Sequence, residues 1–263
     1  SNIQLVSSQK IFLFDFDGVI VDGMNEYWHS SLLACEKYLN SPYISVDQKL
    51  YKKVPNTFKE IRPWVKYGWE MILVVHEIIK TENPLDNFNK EDFIKKYHQN
   101  CQRILNDNSW NAKDLQKILD KARAYQIEKD FEKWVNLHNP FSEVINFMRE
   151  LRKRKIKTGI ITTKGKVFAE KILKQLNICP EFVYGYESGT KIRITEKLTQ
   201  NYEILGFIED RKKTLINIKN NSKTSHISLF LADWGYIKES DKYNLINGIE
   251  LLKLSNLEKL LAI

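Results

Sequence analysis

The chain has 263 residues, 43% hydrophobic and 28% charged, with ten Gly and six Pro. That composition buries a real core and excludes a disordered or fibrous chain. A formal net charge of +8 favours anionic partners without choosing among phosphorylated metabolites, nucleic acid and acidic membrane. Cys35, Cys101 and Cys179 lie far apart and form no CxxC pair, which argues against a disulfide framework or a zinc site and suits a reducing cytosol.

The first ten residues, SNIQLVSSQK, are polar and do not read as a signal peptide. Next comes KIFLFDF, residues 10 to 16, a short and almost wholly apolar run. It predicts a strand buried on both faces, as in a parallel sheet, closed by the turn signal Asp17-Gly18. From about Gly23 to Asn136 the apolar residues recur at helical spacing: Tyr27, Leu32, Leu33 and Leu39; Trp64, Met71, Val75 and Ile78; Phe93, Ile94, Tyr97 and Ile104; Leu115, Ile118, Leu119 and Ala122. Breaks at Asn40 to Pro42, Asn83-Pro84 and Asn106 to Asn111 divide this stretch into four or more helices.

After Asn139-Pro140 strands and helices alternate. Helices are predicted over 141–154, 167–176, near 195–201 and near 214–219. Strands are predicted over 158–162, 182–184, 204–208 and 227–231, and a strand–helix pair ends the chain. This alternation implies a parallel sheet covered on both faces. The expected architecture is an α/β, Rossmann-like core made from 1–22 and 137–263, with an inserted all-helical domain over 23–136. The run from Arg149 to Lys157 holds six Lys or Arg. It falls at a helix end, where cations suit the dipole, and no zinc-finger, RNP or basic-zipper pattern accompanies it. Neither nucleic acid nor membrane is expected as a partner, since no apolar stretch approaches a membrane span.

Ligands of open α/β sheets bind outside the carboxyl ends of the strands, where Asp15 and Asp17 fall. Strand residues two apart face the same way, so both carboxylates aim into one site. Two like charges a few Å apart repel by roughly 4 kcal/mol at an effective dielectric constant near 20. A divalent cation or a shared proton would offset that repulsion, and Mg²⁺ favours one or two carboxylates plus water and phosphate.

FDFDGVIVD, residues 14 to 22, resembles the first signature of the haloacid dehalogenase-like superfamily, and the chain is similar to its helical-cap, phosphoglycolate-phosphatase-like members. The resemblance implies that Asp15 is a nucleophile forming an aspartyl-phosphate and Asp17 the general acid/base. Asp17 also favours phosphoryl transfer over dehalogenation. GIITTK, 159 to 164, resembles the second motif and implies that Thr162, with Thr163 beside it, binds phosphate. YESGTKIRITEKL, 186 to 198, loosely resembles the third. Lys191 is its best match, the usual prolines are replaced by Ile192 and Ile194, and Arg193 and Lys197 stay open.

GFIEDRKKTL, 206 to 215, resembles the fourth motif, with Asp210 matching its first Asp. Glu209 stands in place of Gly, and Thr214 in place of the second Asp. The implied Mg²⁺ set is Asp15, Asp17 (through its carbonyl) and Asp210. Adjacent strand residues face opposite ways, so Glu209 is expected to point elsewhere unless the backbone turns, with Arg211 as its partner. LADWGY, 231 to 236, resembles a loop of the phosphoglycolate-phosphatase-like members.

Five of the six Trp lie in or beside the insertion, where helix packing accounts for them better than an aromatic pocket. Arg62 is a candidate for reaching a substrate anion. The expected activity is Mg²⁺-dependent hydrolysis of a small phosphorylated metabolite in the cytoplasm. A phosphomutase, a phosphonate hydrolase and a non-catalytic binding protein on the same scaffold are the competing readings.

Overall fold

The computed structural model describes residues 8–39 and 53–262; the predicted break at Asn40 to Pro42 and residues 1–7 of the polar start lie outside them. The chain divides into two compact units, Ser1–Asp22 with Pro140–Ile263, and Gly23–Asn139. The second crossing thus falls between Asn139 and Pro140 rather than between 136 and 137.

The first unit is built on six strands: β1 Gln9–Phe14, β2 Lys157–Ile161, β3 Phe182–Tyr184, β4 Tyr202–Glu209, β5 Leu229–Ala232 and β6 Ile249–Leu252. They pair in parallel in the order β3-β2-β1-β4-β5-β6. The strand order reverses at β1, and such a reversal opens a crevice at the carboxyl edge of a doubly wound sheet.

β1 is apolar throughout its buried part because the sheet is covered on both faces. Ile11 and Leu13 pack with Phe207, Leu215, Ile218 and Leu229 on one side. Phe12 and Phe14 turn to the other, where both rings meet Phe147 at centroid distances of 5.4 and 6.0 Å. Phe147 belongs to the helix Ser142–Lys153, which crosses back after the insertion.

One predicted helix begins earlier than periodicity suggests. Near 195–201 a helix was expected, and it spans Lys191–Leu198. Thr190 is its N-cap, its side chain accepting the Arg193 N–H at 3.4 Å, so Lys191 opens a helix instead of lying in a loop. The last helical stretch, Leu254–Ala262, is 3-10 rather than α.

The second unit contains seven α-helices among the described residues, the longest being Ala112–Lys129. Gly68–Ile79 is its centre and is buried over nearly its whole surface, the pattern of a helix surrounded by others. Its first turn is closed by Glu70, which accepts the Tyr67 and Lys66 N–H groups at 2.6 and 3.1 Å and the Tyr97 hydroxyl at 2.9 Å. Trp28 and Trp134 are fully buried, and Trp64, Trp69 and Trp110 pack against the core partly exposed, as helix packing predicted. Arg62 donates to the Val65 carbonyl at 3.2 Å and lies over the Tyr27 ring.

Within this unit a charge pair is sealed from water. Arg123 and Glu26 are 1% and 0% exposed. Arg123 Nε and Nη2 reach the Glu26 carboxylate at 2.9 to 3.1 Å. Ser30 and Trp134 also donate to it, and Gln126 donates to Ser30. Removing one partner of such a pair strands the other charge. Arg123→Met is expected to lower the unfolding free energy of the helical unit by about 3–5 kcal/mol in urea titrations, and Glu26→Leu added to it should recover most of that loss.

Candidate active site

Parallel strands deliver their carboxyl ends to one edge, and three of them end in the residues that matter here. Asp15 follows β1 and continues its ladder, its N–H donating to the Ile208 carbonyl at 2.9 Å. Thr162 follows β2, its N–H bonded to the Tyr184 carbonyl at 2.9 Å. Glu209 ends β4 and Asp210 comes next.

The Asp15–Asp22 segment turns sharply. Gly18 N–H meets the Val21 carbonyl at 2.7 Å, and Ile20 N–H the Phe16 carbonyl at 2.9 Å. Gly18 has φ +82°, and a side chain there would also collide with the Asp210 carboxylate. From the other side Gly235 packs against Asp210 and the Gly18 carbonyl just as closely. The loop carrying Gly235 holds Asp210 and the turn together. Tyr236 N–H donates to Asp210 Oδ2 at 2.9 Å, the Tyr236 hydroxyl to Asp22 at 2.8 Å, and Trp234 Nε1 to the Val19 carbonyl at 3.1 Å.

Asp15, Glu209 and Asp210 bring ligand oxygens within 4.8 Å of one another, and all three residues are buried. This corrects the expectation for Glu209. Alternation of faces holds only inside a strand. Asp210 lies past the end of β4, in a bend, where Glu209 Oε1 accepts the N–H groups of Asp210 and Arg211 at 3.1 and 3.3 Å. Both carboxylates therefore turn toward Asp15. Arg211 does meet Glu209, through its backbone. Thr214, at the place of the usual second Asp, sits in the helix Lys212–Lys219.

Lys191 settles which cation of the third segment enters the site. Its ammonium lies 3.0 Å from Asp15 Oδ1 and 2.6 Å from Glu209 Oε2, whereas Arg193 and Lys197 are exposed. Thr162 is buried, its hydroxyl accepting the Lys164 N–H at 3.0 Å, and Thr163 beside it is half-buried. Asp17 is buried against a second lysine, Lys164, whose ammonium is 3.4 and 3.3 Å from its two oxygens. Sequence reasoning missed Lys164 and misdirected Glu209. Each stands inside a motif segment, but only the fold shows where the side chain goes.

Burial pushes the Asp15 carboxyl up to about 8, helped by the Glu209 charge and opposed by Lys191. Burial works to lower Lys191, yet the two carboxylates outweigh it and hold the ammonium charged. Three carboxylates converge here, Lys191 bridging two of them, while Lys164 pairs with Asp17. In the three-carboxylate cluster the like charges repel, which a cation among them would offset. Its donors are hard oxygens, the kind that Mg²⁺ or Mn²⁺ takes, so the residues fit such an ion.

The raised Asp15 value fixes the sign of two pH effects. Without metal, this group favours the folded state below its ordinary value of 3.8, and that contribution is lost as pH rises to about 8. A cation competes with the same proton. Stabilisation by Mg²⁺, read as a thermal shift of the metal-free chain, is expected to be larger at pH 8 than at pH 6. An equal or smaller shift at pH 8 would contradict this.

No curated protein matches the chain in sequence. Among solved structures, a predicted phosphatase from Clostridium acetobutylicum matches with TM-score 0.56 at 16% identity, covering 98% of this chain and 100% of its own. A predicted phosphoglycolate phosphatase from Haemophilus somnus gives TM-score 0.57 at 12% identity, over 97% and 99%. A haloacid dehalogenase-like family hydrolase from Streptococcus pneumoniae gives 0.53 at 18% identity, over 95% and 97%. Identities this low speak for the fold alone. The family model described as haloacid dehalogenase-like hydrolase matches residues 9–211, most of the chain, and the chain belongs to the haloacid dehalogenase-like hydrolases.

Proposed function

We propose that the protein is a Mg²⁺-dependent phosphatase that hydrolyses a small phosphorylated metabolite in the cytoplasm through an aspartyl-phosphate on Asp15. The observation that carries this reading is the convergence of Asp15, Glu209 and Asp210 at one edge of the sheet, with Lys191 bridging the first two. A Mg²⁺ ion held by these three carboxylates and the Asp17 carbonyl would neutralise charge on the bound phosphate.

The chain's own groups supply the rest. Lys191, with the Thr162 and Thr163 hydroxyls, binds phosphate oxygens and orients phosphorus toward Asp15. An Asp15 oxygen attacks phosphorus as the ester P–O bond breaks, and the Asp17 proton passes to the leaving alkoxide. Asp17, now a carboxylate, takes a proton from water as the water oxygen attacks the same phosphorus. The acyl-phosphate bond breaks, inorganic phosphate leaves, and both aspartates return to their starting states. The helical unit, inserted directly after Asp22, serves as the cap that selects the alcohol part of the substrate. Asp17 is what separates this chemistry from dehalogenation, because an alkoxide needs a proton to leave.

Hydrolysis of alkyl and aryl phosphates with and without Mg²⁺ tests the proposal. Asp15→Asn is expected to abolish turnover, and Glu209→Gln to weaken Mg²⁺ activation about tenfold or more, in line with loss of one charged ligand. Full activity of Asp15→Asn would remove the covalent mechanism.

A further inference from the structure

Lys164 stands out as a fully buried lysine paired with a carboxylate of the candidate site. Its side chain is 0% exposed, and taking an ammonium out of water is costly unless a well-placed anion accompanies it. The lysine is also tightly aimed. Its N–H is fixed by the Thr162 hydroxyl, and its carbonyl accepts the Tyr186 N–H at 3.2 Å. At Gly185 an added Cβ would run into the Lys164 carbonyl and the Lys166 N–H, so the β3 end braces this turn directly. From there the ammonium meets both Asp17 oxygens at nearly equal distances, 3.3 and 3.4 Å.

We propose that Lys164 is a positioning residue for the reaction: it holds the Asp17 carboxyl in the one orientation that reaches the leaving oxygen. This rests on the assignment of Asp17 as general acid under the proposed function. A monodentate partner would leave the carboxyl free to rotate about its last bond, whereas a cation astride both oxygens fixes that rotation. The same turn carries Thr162, so the phosphate-binding hydroxyl and the orientation of the acid are set by one short segment of backbone. Lys164 does not touch phosphate in this role. Its effect is confined to the step in which the ester bond breaks and the Asp17 proton moves to the leaving oxygen.

That confinement makes the role measurable. A leaving alkoxide needs the proton, while 4-nitrophenolate leaves without it, and kcat/KM reports only the steps through formation of the aspartyl-phosphate. Misplacing a catalytic group by about 1 Å costs about 10²-fold. In the full chain with Mg²⁺, Lys164→Met is expected to lower kcat/KM for an alkyl phosphate about 10²-fold, while 4-nitrophenyl phosphate changes by less than about threefold. Inhibition by inorganic phosphate should be unchanged. With the alkyl substrate, Lys164→Met placed on Asp17→Asn should cost nothing beyond Asp17→Asn alone, because residues acting as a unit are not additive.

Equal losses with both substrates, a loss that multiplies in the double variant, or an unimpaired Lys164→Met would each overturn the proposal. Lys164→Gln replaces Lys164→Met if circular dichroism shows the latter unfolded. Failure of both to fold would assign Lys164 to stability and overturn its positioning role. Wild-type rates in Asp17→Asn would sink the general-acid assignment itself, a result distinct from an impaired Asp17→Asn beside an intact Lys164→Met.

Discussion

Repulsion among buried carboxylates is the constraint around which the α/β unit is organised. Asp15, Glu209 and Asp210 share a few Å of space with little water. At an effective dielectric constant near 20, each such contact costs roughly 4 kcal/mol. Cations or a bound proton offset that repulsion. Lys191 does so between Asp15 and Glu209, and burial, helped by the Glu209 charge, still raises the Asp15 carboxyl. Hard oxygen donors gathered in this way make a site that a divalent cation fits.

Holding like charges together requires a rigid frame, and the parallel sheet supplies it. β1, β2 and β4 end side by side, so three separate segments of sequence reach one edge without a long loop. The frame is reinforced where backbone must approach a carboxylate closely. Gly18 and Gly235 leave no room for a side chain against Asp210, and the Tyr236 N–H fixes that carboxylate. The Tyr236 hydroxyl then ties the same loop to Asp22, the last residue before the insertion.

The helical unit handles buried charge differently. Glu26 and Arg123 are fully enclosed, and each carboxylate oxygen is satisfied by several donors. Nothing is left there for a cation to complete. Glu70 likewise spends its oxygens on a helix start and on Tyr97. Carboxylates of this kind specify a packing arrangement, while those at the sheet edge bring like charges together at one place.

The sequence by itself determined the periodicities and the motif segments. An apolar run buried on both faces, then helical spacing, then alternating strands and helices, yielded a parallel core with a helical insertion, because burial pattern follows directly from local geometry. Asp15, Asp17, Thr162 and Asp210 were legible because each falls just past the carboxyl end of a strand. Lys191 was legible only as one of three cations, since a loop lysine and the first residue of a capped helix look alike until Thr190 is seen to cap. Glu209 was misjudged because alternation was extended one residue past the strand, and Lys164 went unassigned because its partner lies 147 positions away. Tertiary structure alone decided those two. Which carboxylate a side chain meets depends on how strands distant in sequence are registered, and no local pattern encodes that register.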